Sequence, residues 1–429
     1  MIRLEGATLL TPDRRIDDAV LVIDGERIAY AGPAQGAPSA APDDEISQLR
    51  GRVIIPGFVN AHTHLAMQIL RGVADDVPLM PWLEQHVWPI EARMTPEDIL
   101  QGTRLALLEA VAAGVTCVND MYGSMDRVAE AIGESGIRGM IAQGLIGGQD
   151  PERESLRRGV ALYERWQGAL GGRIQVALGP HAPYTCPPDY LSEVADYAAA
   201  LSAPVHIHLA ETRGETEELV RQGTSPARVL TQSGLAREHV IAAHMVHPGD
   251  GDIDILAGLD LGVAHCPVSN LKLGCGFAPT RRLRDAGVPV GIGSDGVASA
   301  NLLDPLLSMK AAAWIAKGVA EDAAALTAKD VLRMATREGA LALGWADLGA
   351  LEQGYLADAV VVDLRGYRLQ PVFDPYSALV YTATSQEVER VYASGRLVYR
   401  EGRPLLVDAP DVLASARKAA ERIAGYSLL

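Results

Sequence analysis

The chain has 429 residues, enough for one large domain and a smaller one, with 48% hydrophobic and 21% charged residues, an ordinary globular balance. Its formal charge of −16 would repel a polyanion, which argues against nucleic acid as a partner. No apolar run reaches the ~18–20 residues that a bilayer span needs, and the start MIRLEGATLL lacks the basic-then-apolar pattern of a secretory leader, so a cytoplasmic location away from membranes is expected.

Residues 1–57 read as short strands and turns. The stretch ATLLTPDRRIDDAVLVIDGERIAYAG has hairpin spacing, with a turn at Asp24-Gly25. After Pro56-Gly57 apolar runs alternate with helical segments. Eight runs read as strands: GFVNAHTH, VTCVNDMY, IRGMIAQG, IQVALGPHAPY, PVHIHLAET, HVIAAHMVH, GVAHCPVSN and VPVGIGSDG. Between them lie helical patterns. The clearest begins at Thr95, an N-cap followed by Pro96, Glu97 and Asp98, and stops at Gly114. Others are SMDRVAEAIGESG, PERESLRRGVALYERW, PPDYLSEVADYAAAL, LLDPLLSMKAAAWIAKG and TAKDVLRMATREGALALG. Eight strands separated by helices predict a (β/α)8 barrel.

From Gly354 the pattern returns to strands, in YLADAVVVDL and EVERVYASGRLVYREG. The expected organisation is a distorted barrel over 58–353, inserted into a small β-sandwich that 1–57 and 354–405 build together. A closing helix falls in 406–429. Cys117, Cys186, Cys266 and Cys275 show no C-x-x-C spacing and read as reduced thiols, mostly packing.

The residues FVNAHTH put His62 and His64 on one face of the first barrel strand, at the end where barrel enzymes place their chemistry. Polar residues recur at other strand ends: His206, His208 and Glu211 after the fifth, His244 on the sixth, Asp295 after the eighth. A buried carboxylate such as Asp295 asks for a partner or a metal. Two histidines of the first strand, one of the fifth and Asp295 form a nitrogen-rich set suited to Zn²⁺ or Fe²⁺. Alternation does not choose between His206 and His208, because both share a face. Glu211, three residues beyond His208, is placed as a general acid/base. His265 reads as a satisfied core histidine. None of the five lysines precedes Lys272, so no lysine is available to bridge two metals, and one metal per chain is the simpler expectation; a Glu or Asp bridge stays open.

At these positions the chain resembles the amidohydrolase superfamily and, within it, the 5′-methylthioadenosine/S-adenosylhomocysteine deaminase group. The resemblance covers nearly the whole chain and rests on PGFVNAHTHLAM, LRGVADDVPLMPWLEQHVWPIEARMT, VALGPHAPYTC, VHIHLAET, AAHMVH, HCPVSNLKLGCGFAP and GIGSDGVASANLLD. It implies that His62, His64, His208 and Asp295 hold one divalent cation, zinc first and iron(II) second. It implies that Glu211 shuttles protons, that His244 with Asp295 holds the attacking water, and that Glu91 of WPIE binds ribose hydroxyls. His181 would contact the purine and Trp82 would wall the pocket.

The chain departs from the group at Gln143 and near Ser155, where some members carry arginines suited to the amino-acid tail of S-adenosylhomocysteine. Arg153, Arg157 and Arg158 are the candidates to replace them, although three charges on one helix more often form a solvated face. Ala300 stands where an asparagine is frequent. The implied reaction is hydrolytic deamination of an adenine nucleoside to the inosine analogue, with an apolar-tailed or plain nucleoside favoured over S-adenosylhomocysteine. The alternatives are deamination or dechlorination of another aminated ring (guanine, 8-oxoguanine, an s-triazine) and a non-catalytic metal-binding subunit. The second is disfavoured because all six catalytic positions are present. The expected partner is a small-molecule nucleoside, and apolar helix faces would allow a homo-oligomer.

Overall fold

The computed structural model describes residues 1–428. Its strands fall into two sheets. The N-terminal strands are β1 (Ile2–Leu10), β2 (Arg15–Asp24), β3 (Arg27–Pro33), β4 (Glu45–Gln48) and β5 (Arg52–Pro56). The barrel strands are β6 (Phe58–Thr63), β7 (Val115–Tyr122), β8 (Arg138–Leu145), β9 (Ile174–Pro180), β10 (Val205–Leu209), β11 (Val240–His244), β12 (Leu261–His265) and β13 (Val290–Ile292). The chain then returns to β14 (Ala359–Asp363), β15 (Val388–Ala393), β16 (Arg396–Arg400) and β17 (Arg403–Pro404).

Strands β6 to β13 are parallel neighbours in chain order, as a (β/α)8 barrel requires. All but β7, whose last residue is half-buried, and the outer end of β8 are buried along their whole length or nearly so, which is why their sequences are continuous apolar runs rather than alternating ones. The seam between β13 and β6 is closed differently from the rest. There the Asp295 N–H donates to the His62 carbonyl (3.0 Å), and the Asn60 amide pairs with Ser294, accepting from its N–H (2.9 Å) and donating to its hydroxyl (2.7 Å). This side-chain closure distorts the barrel at the place where His62 and Asp295 must approach each other.

The two terminal segments join one nine-stranded mixed sheet in the order β17-β16-β15-β14-β5-β1-β2-β3, with β4 on β1. The β2–β3 hairpin turns through Gly25 and Glu26, between paired Asp24 and Arg27, and Gly25 sits at φ +56°. Strand β14, more than 300 residues along, pairs antiparallel with β5 from Ala359–Pro56 to Asp363–Arg52. A separate apolar cluster including Leu4, Leu21, Ile54, Val361 and Tyr392 fills this sheet.

The helix Pro96–Ala112 carries a full capping box. Thr95 accepts from the Asp98 N–H, and the Asp98 carboxylate accepts from the Thr95 N–H. One expected helix differs. TAKDVLRMATREGALALG forms two short helices, Ala328–Met334 and Arg337–Ala342, broken at Thr336 (φ −130°, ψ −95°), whose hydroxyl donates back to the Leu332 carbonyl. Among the described residues no helix is long and apolar enough to cross a membrane. All four cysteines are buried and unpaired by disulfides.

Candidate active site

The sequence-predicted residues meet at the C-terminal end of the barrel, in one cavity of about 300 Å³ lined in part by His64, Trp82, Glu91, His181, Glu211 and Asp295. Four non-glycine residues at its strand ends, Ala210, His244, Met245 and Asp295, lie in the left-handed backbone region, with φ between +49° and +75°. Such strain persists only where neighbours hold it. Here the Met245 N–H donates to the Leu209 carbonyl (3.0 Å), and the Gly296 N–H donates to Asp295 Oδ1 (2.8 Å).

The protonation of each imidazole follows from its partner. His64 Nδ1 lies 2.6 Å from the Met121 carbonyl and His208 Nδ1 lies 2.7 Å from the His181 carbonyl. A carbonyl only accepts, so both rings carry their proton on Nδ1 and present an Nε2 lone pair to the cavity. The two Nε2 atoms are 3.3 Å apart. His62 Nδ1 lies 2.8 Å from His206 Nε2, which also receives the Asn119 amide (3.3 Å). That nitrogen is therefore the acceptor, and His62 too directs a bare Nε2 into the site. His62 Nε2 is buried without a hydrogen-bond partner.

Asp295 Oδ1 completes the group, 3.5 Å from His62 Nε2 and 3.3 Å from His64 Nε2. Its Oδ2 is held by the hydroxyls of Ser269 (2.6 Å) and Ser299 (3.0 Å). Burial and mutual repulsion disfavour the protonated imidazoles. His208 lies well below its ordinary value, and His244 is lowered to about 3. Three lone pairs and a carboxylate, desolvated and packed together, are a donor set that a divalent cation fits. His62, His64 and Asp295 offer ligand atoms within 4.8 Å of one another, and so do His62, His208 and His244.

His244 differs from the other three. The Asn270 amide nitrogen lies 3.0 Å from its Nδ1, so Nδ1 accepts and the proton sits on Nε2. That N–H points toward Glu211, with 3.7 Å between Nε2 and Oε1. The ring is thus a donor into the site. Burial pushes the Glu211 carboxyl well above its ordinary range, with Asp295 and Glu215 adding to the effect. Its backbone N–H is fixed by Glu215 Oε2 (2.9 Å), while Glu215 Oε1 accepts from Ala210.

His181 faces the cavity with Nδ1 on the Thr185 hydroxyl (3.0 Å), and burial lowers it to about 4. Trp82 is buried in the wall. Glu91 is the last residue of a short helix. The turn Trp88–Glu91 follows a π-turn, Leu83–Val87, ahead of Pro89, whose ring cannot sit against the Gln85 carbonyl in a regular helix. That irregularity aims Trp88 and Glu91 into the cavity.

The arginines offered as replacements do not reach the site. Arg153 pairs with Glu193 (2.6 Å) and stacks on Tyr190, Arg157 is exposed, and Arg158 pairs with Glu154 (3.2 Å). Ala300 is buried. His265 is buried as expected but not satisfied, since its Nδ1 has no partner. Sequence reasoning missed Asn119, Tyr122, His206 as the partner of His62, Ser269 and Asn270. Each is an uncharged or ambiguous residue whose role appears only when strands far apart in sequence converge. The signal present was position: Tyr122 ends a barrel strand, and Ser269 and Asn270 follow one.

An eight-stranded parallel barrel with a histidine–aspartate cluster at its mouth is the architecture of metal-dependent hydrolases. The chain belongs to the amidohydrolase family, whose profile matches residues 53–398. It is 44% identical over 426 residues to a 5-methylthioadenosine/S-adenosylhomocysteine deaminase of Pelotomaculum thermopropionicum, covering 98% of both chains. Among solved structures it is similar to an adenosine deaminase from Xanthomonas campestris with bound zinc (TM-score 0.93, 36% identity, 99% and 98% coverage). It is also similar to a zinc-complexed atrazine chlorohydrolase from Arthrobacter aurescens (TM-score 0.90, 28% identity, 98% and 100% coverage).

Proposed function

We propose that the chain is a hydrolytic deaminase of adenine nucleosides, taking 5′-methylthioadenosine or adenosine in preference to S-adenosylhomocysteine. The observation that carries this reading is the split among four imidazoles, three presenting lone pairs beside Asp295 and one presenting an N–H beside Glu211. In this reading the barrel over 58–353 is the catalytic unit, framed by 1–57 and 354–405 and closed by 406–429.

His62, His64, His208 and Asp295 would hold one divalent cation, and three nitrogens with one oxygen suit zinc or iron(II). When bound, such a cation acts as a Lewis acid that lowers the pKa of water from 15.7 toward ~7. The protein's own groups then move the protons. The His244 N–H and Asp295 Oδ1 would orient the attacking water. Its oxygen forms a bond to C6 of the purine while Glu211 delivers a proton to N1, which removes the cost of leaving negative charge on the ring. The water proton is taken up by the Glu211 carboxylate so formed and passed to the exocyclic amine. The C6–N6 bond then breaks with its electron pair on nitrogen, ammonia leaves, and the remaining hydroxyl proton returns to the Glu211 carboxylate as the C6 carbonyl forms. His181 lies where it can meet the purine edge, and Glu91 where it can meet a sugar.

Among the described residues no lysine or arginine lines the cavity. Its lining includes Met121, Gly144 and Ile146, with which an apolar 5′ substituent is compatible where a free carboxylate is not.

The test is ammonia release from metal-quantified protein with 5′-methylthioadenosine, adenosine, S-adenosylhomocysteine, adenine, guanine and an aminated s-triazine. 5′-Methylthioadenosine and adenosine should exceed adenine by about tenfold or more in kcat/KM, the gain of a charged hydrogen bond to the sugar. Faster turnover of guanine or a triazine would replace this reading with the other ring chemistry.

A further inference from the structure

The Glu91 carboxylate is set up in an unusual way. Among the described residues no lysine or arginine pairs with it, and the side chain that hydrogen-bonds to it is Tyr122, whose hydroxyl donates to Oε1 at 2.5 Å. The Met94 sulfur, 3.5 Å from the same hydroxyl, is the weaker competing acceptor. Tyr122 ends β7, and its ring stands 6.3 Å from that of His64. Both Tyr122 and Glu91 line the cavity.

We infer that Tyr122 is a specificity-determining positioning residue, whose hydroxyl fixes the Glu91 carboxylate as a receptor for the vicinal hydroxyls of a ribose. The inference rests on the proposed reading of the site as a nucleoside deaminase.

The chemistry favours a phenol over a cation in this role. A guanidinium would neutralise the carboxylate and occupy both oxygens, competing with the substrate hydroxyls. A single neutral donor takes one lone pair of Oε1 and leaves Oε2 and the remaining lone pairs for two sugar O–H groups. It also opposes the effect of burial, which pushes the Glu91 carboxyl up while the Tyr122 bond pulls it down. Burial and the adjoining carboxylate hold the Tyr122 phenol well above its ordinary range, so it stays a donor. The Tyr122 ring packs on the β7 end, so the hydroxyl arrives at a fixed height. Glu91, at the end of an irregular helix, gains its orientation from that contact.

The test compares adenosine with 2′,3′-dideoxyadenosine on zinc-loaded wild-type protein and on Tyr122→Phe. Wild type should favour adenosine. Tyr122→Phe should raise the KM for adenosine by about tenfold, the loss of one hydrogen bond to a charged group, with kcat within about twofold. Dideoxyadenosine kinetics and metal content should not move. Glu91→Gln should lose the same discrimination, and adding Tyr122→Phe to it should change nothing further. If Tyr122→Phe keeps the wild-type preference, or impairs both substrates equally, the role assigned to Tyr122 is wrong while the deaminase reading stands. If wild type deaminates both nucleosides equally, the ribose contact of Glu91 falls and this inference with it. Absence of any adenosine deamination would remove the underlying reading.

Discussion

At the end of the barrel where β6, β10 and β13 finish, His62, His208 and Asp295 are buried and His64 is half-buried, with their free lone pairs aimed at one another. At the opposite end Arg138, the first residue of β8, is 1% exposed and meets Asp358, just before β14, which is 2% exposed. Both ends hold charge away from water. At the floor the charges are opposite and neutralise each other at 3.3 Å, with Asp358 Oδ1 also accepting the Ser394 N–H (2.9 Å) and Trp345 lying 5.9 Å from the guanidinium. At the mouth the groups are acceptors facing acceptors, an arrangement that costs free energy unless a cation joins it. The contrast teaches that burial alone does not separate a site from a strut. The direction of the lone pairs does.

The sharpest way to press that contrast is Glu211→Gln, which removes the proposed proton carrier and leaves the donor set untouched. Deamination should fall by about 10² to 10⁴, the usual contribution of a positioned acid/base. Bound metal per chain and thermal stability should stay as in wild type. Turnover at the wild-type rate would put the proton transfer elsewhere and blur the division drawn at the mouth.

The floor has the complementary test. Arg138→Met leaves Asp358 buried without its cation, which costs about 3–5 kcal/mol of stability. The activity of each folded molecule should hardly change, because the pair lies far from the cavity. The pH dependence has a definite sign. Burial already holds the Asp358 carboxyl above its ordinary range, even with Arg138 opposing. Without the arginine its folded pKa rises further above the unfolded value of about 3.9, so the carboxyl is preferentially protonated in the folded state. The destabilisation should be smallest below about pH 4 and grow as pH rises through the folded pKa. Chemical denaturation at pH 4 and pH 7 measures it. A deficit that shrinks toward pH 7 would mean that Asp358 is not confined as the structure places it.

How much of this could be read from the chain follows the same division. The barrel was legible because its strands are buried on both faces and therefore spell continuous apolar runs, eight of them with helical patterns between. The mouth was legible because a histidine or aspartate closing such a run has little reason to be there except to face the site. The choice of His208 over His206 was not legible from alternation, which gives both the same face. Depth decides it: His208 reaches His64 across the cavity, while His206 lies one layer below and supports His62. The floor pair was invisible, since Arg138 and Asp358 are separated by 220 positions and neither has a local pattern to betray its burial. The break at Thr336 was missed for a related reason, because the helical period continues across it while the hydroxyl turns back on the Leu332 carbonyl.

The smallest effect tests how far the mouth extends into the barrel. His206 Nε2 accepts from His62 Nδ1, and the Asn119 amide holds that acceptor while also reaching the Ala61 carbonyl (2.9 Å). This chain fixes the tautomer that leaves His62 Nε2 bare. His206→Phe keeps the ring volume and removes the acceptor, so the His62 proton is free to move to Nε2 and the ring to turn. Metal affinity should fall by about 10- to 100-fold, the usual consequence of losing an outer partner of a ligating histidine. It can be read by competition with a chromogenic chelator, independently of turnover. His206→Gln, whose side-chain oxygen can still accept, should recover part of the loss, which a simple packing defect would not. An unchanged affinity in the phenylalanine variant would confine the mouth to the four proposed ligands and make His206 a strut like Arg138.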